Sequence, residues 1–301
     1  MNFSAQDSNR LRQSLPQENT KNTESRILLF AFFVFSCGHS FSGEPAGMIP
    51  PARETVLAQS GEGLPQVWGA FQGHPLPAHY SLATNQITAT EIQVALRAIP
   101  SLFILTDPTN LFAPDTGIYL HPVERGQSWE RPVTALLLDE RGKTNFQIRC
   151  GLRIHGGMSR RPEESPKHSF RLAFRSEYGD ARLRAPLFGK TRSQAFDDLV
   201  LRAGGSDSWL SSVGALRSQA TYLRDEWMRQ SMAALGHRSA RGRFVHLHLN
   251  ELYWGIYNLC ERPGGQFAGA KDKKAGYDIL KGDETESGNR ITWDKLLALA
   301  S

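Results

Sequence analysis

The chain has 301 residues, of which 40% are hydrophobic and 22% charged, enough apolar material for one large domain or two small ones and too much for global disorder. A net charge of +5 favours acidic partners or anionic surfaces, but the arginines are scattered instead of forming a basic tail. No zinc-finger spacing, basic zipper or aromatic RNA-binding signature is present, so nucleic acid is excluded as the expected partner.

Residues 1–25 are polar and rich in Asn, Gln and Ser, the composition of an unfolded extension. Arg26 then precedes the apolar run Ile27–Phe35, too short to span a bilayer but matching the core of a signal peptide. The expected address is therefore export, to the cell envelope or beyond it. Ser36-Cys37-Gly38 resembles a bacterial lipoprotein processing site, which makes Cys37 a candidate lipid anchor; cleavage after Ser40-Phe41-Ser42 is the alternative. Contact with a membrane is expected only through the signal peptide or that lipid. We divide the chain into an extension with signal peptide (1–42), a linker or arm rich in Pro and Gly (43–87) and a folded domain (88–301).

Within the domain, Thr88–Arg97 reads as a short helix and Leu102–Leu105 as a buried strand stopped by Asp107-Pro108. Val133–Leu138 is a second strand. Phe146, Ile148, Cys150, Leu152 and Ile154 alternate with polar or small residues, the period of a half-buried strand, and Lys167–Phe174 alternates again after the turn His155-Gly156-Gly157. Leu216–Leu235 is expected to be one helix, with Leu216, Ala220, Leu223, Trp227, Ser231 and Ala234 on its apolar face and Gly236 as its C-terminal cap. Phe244–Leu249 and Leu252–Glu261 flank Asn250-Glu251 as a hairpin. Strands, helix, strands and helix in that order predict an α+β domain with a mixed, largely antiparallel sheet and packed helices.

Candidate chemistry follows. Lys167, after a Gly-containing turn, is placed to face an anion. Asp278, Asp283 and Glu284 offer hard oxygen ligands suited to Mg²⁺ or Mn²⁺, with Asp278 and Asp283 as the candidate catalytic acids. His246 and His248 share a strand face and read as structural before metal-binding. Arg160 and Arg161 either contact phosphates or solubilise their loop. Cys150 and Cys260 read as buried thiols, a disulfide between them being the other option. A hydrolase is disfavoured because no Gly-x-Ser-x-Gly elbow occurs.

The stretches GLRIHGGMSRRPEESPKHSFRLAF (151–174), FDDLVLRAGGSDSW (196–209), ATYLRDEWMR (220–229) and FVHLHLNELYWGIYNLCERP (244–263) resemble the spore-coat protein H (CotH) kinase family in order and spacing, as do residues 99–119 and 125–139. The resemblance runs from about residue 99 to about 284, with residues 99–119 and 125–139 similar to the large secreted bacterial members. It implies a divergent, two-lobed protein-kinase-like fold, with ATP and a divalent metal as cofactors and Ser or Thr hydroxyls of a secreted or envelope protein as acceptors. By that likeness Lys167 is the nucleotide-binding lysine. His155, Gly156, Gly157 and Ser159 belong to the loop covering the phosphates, and Glu261 is an acidic partner near the nucleotide. Because family members continue past the helix begun at Ile291, the resemblance also implies a domain truncated at its C-terminus. The alternative is a non-catalytic surface or adhesion module that keeps the fold without the chemistry.

Overall fold

The computed structural model describes residues 63–71, 74–80, 88–189, 195–264, 267, 277–281 and 284–300, all within the compact unit Ile49–Ser301. The apolar run Ile27–Phe35, Cys37 and the cleavage motif Ser40–Ser42 lie outside these residues. No helix among the described residues is long and apolar enough to cross a membrane.

A short hairpin, β1 (Val67–Phe71) and β2 (His74–Pro77), precedes α1 (Ala89–Leu96). Thr88 caps α1 in a reciprocal box with Glu91, satisfying two N-terminal donors, and Ile92 and Leu96 pack on Tyr253. Next come β3 (Ser101–Leu105), α2 (Pro108–Phe112), β4 (Arg131–Leu138), β5 (Thr144–His155) and β6 (Ser169–Ala173). The small pair β7 (Leu183–Arg184) and β8 (Ala195–Phe196) leads into β9 (Asp198–Arg202), α3 (Gly214–Ser218) and α4 (Arg224–Ala234). The hairpin β10 (Gly242–Leu249) and β11 (Leu252–Glu261) follows, then β12 (Ile279–Lys281), β13 (Glu284–Ser287) and α5 (Ile291–Ala300).

Seven strands close into a barrel in the order β10-β11-β9-β6-β5-β4-β3. Every neighbouring pair is antiparallel except β10 with β3, which is parallel. The α+β class and the mixed, largely antiparallel sheet agree with the sequence reading. Closure goes beyond it, because the seam joins His246 to Ser101 across a sequence separation that no local pattern records. Alternation explains the filling: Ile148, Cys150 and Leu152 of β5, Phe170 and Leu172 of β6, Leu199 and Leu201 of β9, and Tyr257 and Leu259 of β11 all point into one core. Trp68 and Tyr80 join it from the segment expected to be linker, with the Trp68 indole N–H donating to the Tyr80 hydroxyl at 3.2 Å. Cys150 and Cys260 are both buried free thiols. Their strands are separated by β6 and β9, roughly 14 Å at 4.8 Å per strand, which is too far for a disulfide.

The helix expected over 216–235 is two helices, split where Tyr222 adopts a φ of 60°. Gly236, at φ 85°, closes α4: its N–H donates to Ala233 O and that of His237 to Met232 O, a Schellman ending. The face of α4 differs from expectation. Trp227, Leu223 and Leu216 are exposed, and the buried residue is Glu226. Polar satisfaction overrides the apolar stripe here. The Glu226 carboxylate accepts from Arg229 at 2.6 Å, from the Asn258 amide of β11 at 2.9 Å and from Gln230 at 2.9 Å. Gly242 makes the approach possible, since a Cβ there would run into the Glu226 and Asn258 side chains. Gly242→Ala is therefore expected to cost roughly 2–4 kcal/mol by breaking charge-assisted bonds in a buried site. Urea unfolding measures this, and an unchanged midpoint would remove Glu226 as the anchor of α4.

Candidate functional site

Lys167 lies two residues before β6 in a segment fixed at each carbonyl. The Tyr119 hydroxyl donates to Pro166 O (2.8 Å), Ser165 Oγ to Lys167 O (3.3 Å) and the Tyr257 hydroxyl to His168 O (2.9 Å). The Lys167 side chain is buried, at 9% exposure. Its Nζ donates to Ile256 O at 2.7 Å and stands 4.5 Å from the centre of the Tyr257 ring and 5.3 Å from that of Tyr222. Gly255 leaves the room: at φ +105° on the β10–β11 bulge, it would place a Cβ 3.0 Å from Nζ. No carboxylate among the described residues pairs with this ammonium. Burial pushes its pKa down to about 7. One carbonyl and two aromatic faces leave an ammonium short of negative charge.

Tyr222 is held over Lys167 by a second structure. The turn Gly204-Gly205-Ser206-Asp207 has φ of 94° and 55° at its glycines, and the Tyr222 ring fills the space where a Gly204 side chain would stand. The Tyr222 and Ser208 hydroxyls share a 2.7 Å hydrogen bond. Asp207 accepts from the Thr221 and Arg224 backbone N–H groups at 2.8 and 3.2 Å, and these bonds hold its carboxyl below the usual range against the opposing effect of burial. Together they sustain the left-handed backbone at Tyr222, a conformation costing on the order of 1 kcal/mol or more. Tyr222, Tyr257, Gly255 and Ser208 had no role in the sequence reading, although all four lie in the quoted stretches. Two adjacent glycines before Ser206 were the available signal.

The loop from His155 to Ser159 meets the same segment. Gly156 has a φ of +129°, and Ser159 Oγ occupies the space where its Cβ would stand. Gly157 opens a single helical turn, Met158–Arg160, and Ser159 O lies 3.4 Å from His168 Nδ1. Burial depresses His168 to about 4, so its imidazole is neutral at pH 7. Arg160 neither solubilises the loop nor faces outward. It is 7% exposed, and its guanidinium donates to Gly156 O (2.8 Å), Pro122 O (2.9 Å), Glu124 O (2.7 Å) and Ile154 O (2.6 Å).

The predicted acids have the following surroundings. Glu261 is ion-paired with Arg241 and accepts its backbone N–H at 2.8 Å. It is five residues along β11 from Ile256, roughly 17 Å at 3.4 Å per residue. Asp278 is exposed, with Oδ1 accepting the Asn289 N–H at 2.8 Å, and Glu284 begins β13, also exposed. Asp283 lies outside the described residues. Among the described residues no three His, Cys, Asp or Glu side chains form a group able to hold a metal. The His246 ring bonds Tyr253 Oη and Ala95 O, both at 3.0 Å, and His248 stacks on Phe103 at 4.4 Å.

No curated protein matches the chain. A family model described as CotH kinase protein matches residues 152–296, a span that runs from the end of β5 into α5 and holds Lys167, Tyr222, Tyr257, Asp278 and Glu284. The four stretches that carry the resemblance fall almost wholly inside that span, so residues 152–296 are similar to the CotH kinase protein family, as the sequence reading expected.

Proposed function

We propose that the protein is a kinase-like phosphotransferase that binds ATP at Lys167 and passes phosphate to Ser or Thr hydroxyls of a secreted or envelope protein. One observation carries this reading: a buried ammonium, fixed in place, with no carboxylate among the described residues to neutralise it. Leaving a cation in that state is costly unless an anion arrives. Phosphoryl transfer asks the protein mainly for positioned positive charge, and the loop from His155 to Ser159 meets the Lys167 segment through the Ser159 and His168 contact. A two-lobed kinase-like architecture, an exported location and a lipid at Cys37 belong to the same reading and rest on the family resemblance and on the apolar run Ile27–Phe35.

Mg²⁺ or Mn²⁺ would neutralise phosphate charge, and the acidic run Asp278–Glu284 supplies its proposed ligands. The test is transfer of labelled phosphate from ATP to a broad panel of protein acceptors. Transfer is expected with either metal, to stop with chelator, and to fall at least tenfold in Asp278→Ala or Asp283→Ala. Nucleotide binding without transfer to any acceptor would favour the non-catalytic module. Unchanged transfer in both variants would place the metal on other carboxylates.

A further inference from the structure

On the outer wall of the barrel, away from the contacts of Lys167, two arginines face each other with their donors unspent. Arg153 of β5 and Arg171 of β6 are register partners, so their Cβ atoms stand roughly 5 Å apart. Their side chains are only 19% and 16% exposed. A guanidinium holds five N–H donors. Among the described residues, this pair makes a single hydrogen bond, from Arg171 Nη2 to Asp198 Oδ2 at 2.7 Å. Arg171 Nε is buried with no partner, and Arg153 Nε reaches only to within 3.7 Å of Glu130 Oε2, itself buried without a hydrogen bond.

Glu130, lying over Gly151, is already bound by Arg175 Nε at 2.9 Å, and Asp198 also has Arg262 at 3.8 Å. Each of these two carboxylates thus faces two guanidiniums, and the partly exposed Glu177 lies 3.9 Å from Arg175. Arg153 accordingly feels burial first and then the repulsion of Arg171, both lowering its pKa. Like charges directly opposite on a sheet are destabilising, and two half-buried forks with free donors match the several oxygens of one tetrahedral oxyanion.

We propose that Arg153 and Arg171 form an anion site on the barrel wall that takes a phosphate group, distinct from the Lys167 site and independent of its assignment. The same dianion can come as free inorganic phosphate or on a phosphorylated side chain.

Titration calorimetry on the full chain at fixed ionic strength tests this, using inorganic phosphate, a phosphoserine peptide, its unphosphorylated twin and chloride. Phosphate or the phosphopeptide is expected to bind, the twin and chloride not, and the tighter of the two ligands identifies the source. Arg153→Gln and Arg171→Gln should each weaken binding at least tenfold, while Lys167→Ala should leave it unchanged. Arg153→Gln is the safer variant, because Glu130 keeps Arg175, and it decides the matter should Arg171→Gln fail to fold. Wild-type affinity in Arg153→Gln, loss of binding in Lys167→Ala instead, or phosphate no better than chloride would each overturn the site.

Discussion

Lys167→Met is expected to raise the melting temperature and, in the same protein, to abolish nucleotide binding. Lys167 titrates near 10.5 when unfolded and near 7 when folded, because burial disfavours its charged form. The unfolded chain therefore binds more protons between those values, and wild-type stability rises as pH climbs from about 7 to about 10.5. Below pH 7 both states are protonated and the full penalty of the buried charge is present. Methionine removes that penalty while keeping the length and most of the packing. The gain should be on the order of 3 kcal/mol at and below pH 7, and should shrink toward pH 10.5. Part of it is offset by the Ile256 carbonyl, which loses its 2.7 Å donor. Thermal unfolding of both proteins across this pH range measures the difference. A variant less stable than wild type at pH 6 would mean that Lys167 supports the fold and is not held in reserve for an anion.

Arg160→Ala is expected to act oppositely, costing roughly 3–5 kcal/mol and weakening nucleotide binding as well. The Arg160 guanidinium ties the carbonyls of Ile154 and Gly156 to those of Pro122 and Glu124, so one side chain joins the end of β5 to the loop before β4. Alanine removes the donor from all four carbonyls, the bonds to Pro122 and Ile154 being buried, and frees the backbone from His155 to Ser159. Arg160→Lys should recover little, since one ammonium cannot span four carbonyls that a planar fork reaches at once. Urea unfolding with ATP titration on the folded fraction checks both effects. Full stability in Arg160→Ala would show that the loop is held by other contacts.

Much of the fold was legible because its information is local. The alternation from Phe146 to Ile154 predicted β5, the short helix read over Thr88–Arg97 is α1, and the hairpin around Asn250 lies where expected, Asn250 taking a φ of 53° and donating its N–H to Ile104 O. What the sequence hid depends on distant residues. The parallel seam of β10 with β3 closes the barrel, and the burial of Glu226 on α4 depends on Asn258 and on the missing side chain of Gly242. Leu223 and Trp227 have helical spacing, yet they face outward because hydrogen bonding to that polar pair decides which side of α4 packs. The candidate site divides in the same manner. Lys167 and the loop from His155 to Ser159 are near neighbours in sequence and meet in space, whereas Tyr222 and Tyr257 reach Lys167 only through the tertiary fold. Glu261 drew attention because its sequence neighbours resemble the family, and its ion pair with Arg241, opposite it across the β10–β11 hairpin, is a contact that only the fold supplies.

The central claim is that the buried ammonium of Lys167 is a phosphate site for a nucleotide, and equilibrium titration of the full chain with ATP, with and without Mg²⁺, addresses it most directly. Wild type is expected to bind ATP more tightly than adenosine, since the attraction is to the phosphates, and Lys167→Ala should lose at least tenfold in ATP affinity while unfolding with the same cooperativity. Equal affinity of the two proteins for ATP, or equal affinity of wild type for ATP and adenosine, would contradict the account.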